Sequence, residues 1–158
     1  MCSLFLKSEV VPSPAGSGAA ATATATSSNK SGKPLACAWR RGIDKRALLA
    51  ARYESGEVRI YDERGQEEAT KALQKVRGGG ARCMAWHPTS PILAVGWNNG
   101  SVTVWKHAEG RTETSPEVSE GAVECIEWAA QGRLAVGSES GTASVWKVRA
   151  RGTDRDGE

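Results

Sequence analysis

The sequence is short of the residues that usually do chemistry. It has two histidines, His87 and His107, in 158 residues, with one Phe and two Tyr. Isolated histidines with no constellation of acids or thiols around them do not make a catalytic set. The four cysteines, Cys2, Cys37, Cys83 and Cys125, form no CxxC pair, and intervals of 46 and 42 separate the last three. Zinc ligands normally lie a few residues apart, so no metal is expected. Without a secretory signal the cysteines read as reduced, buried small hydrophobes. No apolar run approaches the ~18 residues of a membrane span. A net charge of +3 is too small to indicate nucleic acid, and none is expected as a partner. Gly78-Gly79-Gly80 lacks the Lys-Ser/Thr of a phosphate loop. Ser138 and Ser140 stand near Glu139 with no His to activate them. The expectation is a protein with no catalytic residues and no cofactor.

Against these shortages stand six Trp. The stretch 81–105, ARCMAWHPTSPILAVGWNNGSVTVW, explains most of them. It holds three short apolar segments, rich in Val, Ile and Trp, parted by Pro-Ser-Pro-type and Asn-Asn-Gly breaks. Such segments read as strands. The Asn-Gly pair suits a tight hairpin turn, because both residues tolerate positive φ. The pattern recurs at 35–61 and 123–146. Trp39, Trp86 and Trp128 close the first segments at intervals of 47 and 42. Gly56, Gly100 and Gly141 close the hairpin turns, and Tyr61, Trp105 and Trp146 the third segments, both at intervals of 44 and 41. Five of the six Trp thus occupy repeat positions. A large ring there closes a strand and locks neighbouring sheets together.

Strand-rich repeats of ~40–45 residues are the mark of WD40-type propeller blades. The expected class is all-β, with about three recognisable WD40-like blades in an incomplete ring. The expected organisation is a short strand at 1–11, a low-complexity flexible segment at 12–33, and repeats over 34–148, divided near 34–80, 81–121 and 122–148. A disordered tail follows at 149–158. The first 43 residues contain one acid, Glu9, but no arginine precedes Arg40, so a strand is favoured over a targeting peptide at the N-terminus. The polar stretches 62–80 and 106–121 are expected to supply outer strands, although ATKALQKV at 69–76 also fits a short helix. Three blades fall short of the ~4–8 that close a ring, so the chain is expected to be a fragment with a hydrophobic blade face exposed.

The units resemble WD40 repeats in their AWHP, LAVG and VTVW elements. They lack the Gly-His before the first strand and keep the terminal Trp-Asp only as Tyr61-Asp62. The usual buried His–Ser/Thr–Trp–Asp network therefore cannot form in its ordinary way. The run CMAWHPTSPILAVGWNNGSVTVWKH, with ESGEVRIYDERG before it, is similar to the first propeller of the intraflagellar transport protein 140 family. That resemblance implies a non-catalytic scaffold in a complex A-like assembly, with other protein subunits as partners. It also implies retrograde ciliary transport and cilium assembly, and residence in the cytoplasm, cilium or basal body. A generic WD40 adaptor is the rival reading. The basic turn suggests another: Arg40, Arg41, Lys45 and Arg46 form a candidate contact for an anionic lipid or nucleic acid, with peripheral membrane contact. Trp97 lies outside the repeat framework. It is either an exposed interface anchor or a ring packed against the adjacent blade. His87 reads as part of a turn.

Overall fold

A computed structural model of the chain describes residues 32–40, 47–68, 73, 79–115 and 120–148. The expected strand at 1–11, the low-complexity residues 12–31, the basic turn at 41–46 and the tail at 149–158 lie outside the described residues. So does most of 69–78, where Leu73 is described and buried.

The strands group into three antiparallel sheets. The first is β1 (Pro34–Arg40), β2 (Leu48–Tyr53), β3 (Val58–Asp62) and β4 (Glu67–Glu68) in sequential order. The second is β5 (Ala81–Trp86), β6 (Ile92–Trp97), β7 (Val102–Lys106) and β8 (Arg111–Thr114). The third is β9 (Val123–Ala129), β10 (Arg133–Ser138) and β11 (Ala143–Lys147). β5 lies beside β1 on one side and beside β9 on the other. The sheets therefore stack as successive blades with their first strands adjoining.

Register turns the sequence repeat into two side-chain rows on each sheet, because residues opposite one another share a face. One row reads Trp39–Leu49–Tyr61, Trp86–Leu93–Trp105 and Trp128–Leu134–Trp146 across the three sheets. The next residues lie on the opposite face and read Ala38–Ala50–Ile60, Ala85–Ala94–Val104 and Glu127–Ala135–Val145. Large rings on one sheet meet small side chains on the sheet before it. Two cores result. Leu48, Ala50 and Ile60 pack with Leu93, Trp97 and Trp105, and Ala94, Val102 and Val104 pack with Ile126, Trp128 and Leu134. Buried apolar side chains of this size contribute roughly 1.5–3 kcal/mol each. The middle sheet faces a neighbouring described sheet on both sides, and every residue of β6 and β7 is buried.

Each hairpin between second and third strands is built alike. Tyr53, Trp97 and Ser138 donate their backbone N–H to the carbonyls of Glu57, Ser101 and Thr142 at 2.9, 3.0 and 3.0 Å. Gly56, Gly100 and Gly141 take φ of 85°, 77° and 81°. Among the described residues Gln131 is the one non-glycine with positive φ. Asn99 therefore does not share Gly100's left-handed backbone. The loop is a three-residue turn, Asn98-Asn99-Gly100, in which the glycine alone is left-handed, so the positive φ that the Asn-Gly pair is expected to tolerate is used at one of its two residues. Each turn also holds the strand entry of its own sheet. Glu54, Asn98 and Glu139 donate to the carbonyls of Lys33, Gly80 and Ala122 at 2.8, 3.0 and 2.9 Å.

The cysteines correct a second expectation. Cys37 and Cys125 are exposed and Cys83 is half-buried; all three are free thiols. Cys125 lies on the face of the third sheet that points away from the second. Cys37 stands two residues before its tryptophan, whereas Cys83 and Cys125 stand three before theirs. One residue of offset reverses the face.

Candidate interaction surfaces

Of the sequence-derived candidates, Arg40 and Trp97 are among the described residues, and both are buried. Arg40 ends β1 opposite Leu48 and is 4% exposed, so its guanidinium sits within the fold rather than on display. Arg41, Lys45 and Arg46 lie outside the described residues. Trp97 is fully buried, in the core between the first and second sheets. Its indole N–H donates to Thr103 Oγ1 at 2.8 Å, and Thr103 Oγ1 is 3.0 Å from Thr114 Oγ1. A ring held in this way anchors β6 to β7 and β8, and presents nothing to a partner. The corresponding positions use other polar ends for the same purpose. Tyr53 and Tyr61 share a hydrogen bond of 2.8 Å between their hydroxyls, and Ser138 Oγ lies 2.7 Å from both Ser140 Oγ and Thr142 Oγ1. Burial is the largest influence raising the Tyr61 pKa, followed by its bond to Tyr53, so its proton stays in place.

The histidines are likewise structural. His87 Nδ1 accepts backbone N–H groups from Thr89 and Ser90 at 3.2 and 3.0 Å, closing the turn between β5 and β6. Its ring stands edge-on to Trp128 at 4.9 Å, and partial burial lowers its pKa. His107 Nε2 lies 2.6 Å from Glu68 Oε2, tying the outer part of the second sheet to the first. On the other side, an ion pair between Arg82 and Glu124 bridges the second and third sheets. An open groove of about 1370 Å³ runs between the second and third sheets past His87, Thr89, Lys106, Trp128 and Lys147. It is lined by the ion pair of Lys106 Nζ with Glu113 Oε1, at 3.0 Å, and by the Thr89 hydroxyl, 3.5 Å from the His87 Nδ1 that already accepts two backbone amides.

The geometry that sequence reasoning missed is at the sheet junctions. Trp86 Nε1 donates to the carbonyl of Ala38, and Trp128 Nε1 to that of Ala85, each at 3.0 Å. In both cases the acceptor is the residue preceding the tryptophan of the previous sheet. The remaining members of this series are at the surface. Trp39 is 52% exposed, as is Leu35 at 53% on the same strand, and Val145 in the third sheet is 69% exposed. The period marked these tryptophans as ring positions, but not their hydrogen-bond acceptor.

Successive antiparallel sheets, joined at their first strands through a repeated seam, define a β-propeller protein. The chain belongs to the family described as the IFT140 first beta-propeller, whose model matches residues 23–156. Solved structures agree on the fold. The computationally designed Ika4 protein is 17% identical with a TM-score of 0.54, over 65% of this chain and 61% of that one. A chain of the Mitotic Checkpoint Complex is 17% identical with a TM-score of 0.57, over 73% of this chain and 39% of that one. The chain thus spans less than two thirds of the length of either. At this identity the likeness concerns the fold alone.

Proposed function

We propose that this chain is a non-catalytic scaffold acting in a complex A-like assembly of intraflagellar transport. Its partners are other protein subunits, and its place is the cytoplasm and the cilium or basal body, in retrograde transport and cilium assembly. The observation that carries this reading is the family match over residues 23–156, which covers all three sheets. The structure supports it from the other direction. Trp86, Trp97, Trp128, both histidines and the hydroxyls around Ser138 are engaged in turns and seams, as in a binding platform. The rival contact with an anionic surface through the basic turn draws no support from Arg40, whose side chain is buried.

The test is affinity capture of the tagged chain from ciliated cells, with quantitative mass spectrometry. Complex A subunits should be enriched over a Trp128→Ala control. Recovery of ubiquitin-ligase or vesicle-coat subunits in their place would establish the generic adaptor instead.

A further inference from the structure

The three hairpins between second and third strands share one backbone and differ in the residue before the left-handed glycine. It is Ser55 in the first, Asn99 in the second and Ser140 in the third. Of the three, Asn99 alone carries a carboxamide. Its Cγ is an electrophilic carbon one residue ahead of a backbone nitrogen, and that nitrogen belongs to Gly100, which has no side chain to hinder the approach.

The fold holds this carboxamide in a defined way. Asn99 is half-buried, and its Oδ1 accepts two hydrogen bonds from Ser101, the backbone N–H at 3.2 Å and the hydroxyl at 2.7 Å. Ser101 is itself buried, which strengthens both bonds. On the other side lies the bare backbone of Gly79, where an added Cβ would come 3.6 Å from Asn99 Cγ. When a nucleophile adds to Cγ, negative charge gathers on Oδ1, and donors already aimed at that oxygen stabilise it.

We infer that Asn99 is a site of spontaneous backbone modification in the folded protein, where the Gly100 nitrogen attacks Asn99 Cγ and Ser101 stabilises the developing oxyanion. Gly100 N gives up its proton to solvent base as the N–Cγ bond forms. The Cγ–Nδ2 bond then breaks, and Nδ2 takes up a proton and leaves as ammonia. A cyclic imide now spans Asn99 and Gly100, and water opens it. Attack at Cγ leaves aspartate. Attack at the main-chain carbonyl carbon leaves isoaspartate, in which the chain runs through the former side chain.

One contact opposes the reaction. The Gly100 N–H donates to the Trp97 carbonyl at 3.1 Å, toward the long end for such a bond, and must release it before the nitrogen can act. Two donors fixed at Oδ1 against one long bond to be released favour reaction in the folded chain. The consequence falls on a hairpin whose strands, β6 and β7, are buried throughout. Its turn is closed by Trp97 N–H donating to the Ser101 carbonyl at 3.0 Å. Isoaspartate inserts an extra main-chain carbon within that closure and a carboxylate beside it, so an aged molecule carries a loosened strand pair in its second sheet.

The test is incubation of the folded full chain in near-neutral, heavy-oxygen water at physiological temperature, with peptide mapping by mass spectrometry over weeks. Asn99 should lose ammonia and take up heavy oxygen at least as fast as in the urea-denatured chain, and faster as the pH is raised. Ser101→Ala removes one donor to Oδ1 and should slow conversion in the folded chain about tenfold, with circular dichroism verifying the fold. The sign is diagnostic, because a hydroxyl that served only to stiffen the turn would speed the reaction when removed. In urea the variant and wild type should convert equally. Asn99→Ser, the residue the other two hairpins carry, should yield no product and keep its melting temperature on ageing. Slower conversion in the folded wild-type chain than in the denatured one overturns the inference without use of the variants. So does a folded Ser101→Ala chain that converts as fast as wild type or faster.

Discussion

Gly96 shows how closely the second and third sheets approach. A Cβ there would lie 2.5 Å from Val123 Cγ1 and 2.8 Å from Cys83 Sγ, both within the packed junction. Gly96→Ala should therefore cost roughly 1–3 kcal/mol, read by chemical denaturation, because neither neighbour can retreat without moving a sheet. Gly137 holds the same place in the third sheet, and its Cβ would meet Cys125 Sγ at 2.5 Å. That thiol stands on an exposed face and can rotate away, so Gly137→Ala should cost less; an equal loss would contradict this account. The seam bond is measurable too. Trp128→Phe keeps most of the ring but strands the Ala85 carbonyl, and should lower stability by about 1 kcal/mol. At this scale the sequence was readable wherever the period was intact, as at the tryptophans. It misled at Cys37, whose apparent membership of the cysteine series hides the one-residue offset that turns it to the other face.

At the scale of elements, the β5–β6 turn depends on an imidazole that must remain neutral. Burial lowers the His87 pKa below its ordinary 6.5, so the unfolded chain binds the proton more readily than the folded one. Stability then rises with pH through this range and falls as the solution is acidified through the ordinary 6.5 and on toward the lowered folded value. Protonation at Nδ1 also removes the acceptor for the Thr89 and Ser90 amides. His87→Asn can accept the same amides without titrating, and should flatten the melting temperature across that interval relative to wild type. The hairpins show what local sequence could and could not specify. Their position was evident from Gly56, Gly100 and Gly141, yet the three-residue loop follows from the pairing of the flanking strands rather than from the Asn-Gly pair itself. The outer strands β4 and β8 fall in the polar stretches 62–80 and 106–121 expected to supply them, but their bounds were not legible, since Glu67–Glu68 offers neither length nor an apolar face.

For the molecule as a whole, the strands were legible because apolar alternation and turn glycines repeat three times. The partners of the outermost faces were not, because no local pattern says what lies beside the first and last sheets. The unequal burial of the three sheets has a kinetic counterpart. β6 and β7 are buried throughout, whereas β11 alternates exposed and half-buried positions and pairs among the described residues only with β10. Amide hydrogen exchange should be slowest in β6 and β7 and fastest in β11, where opening disrupts the least packing. Protection in β11 equal to that of β7 would overturn this ordering.

Cys83 and Cys125 occupy one repeat position in two circumstances, and their chemistry should report the difference. Burial pushes the Cys83 thiol up to about 11, its Sγ lies 3.5 Å from the Val123 carbonyl, and the third sheet covers it. Cys125 has the same neighbour, a strand glycine, but no sheet above it among the described residues. In Cys2→Ser, Cys37→Ser protein, a maleimide should modify Cys125 promptly and Cys83 only when the sheets part. The ratio of the two alkylation rates then serves as an internal clock for separation of the second and third sheets, with the outer thiol as its unhindered reference.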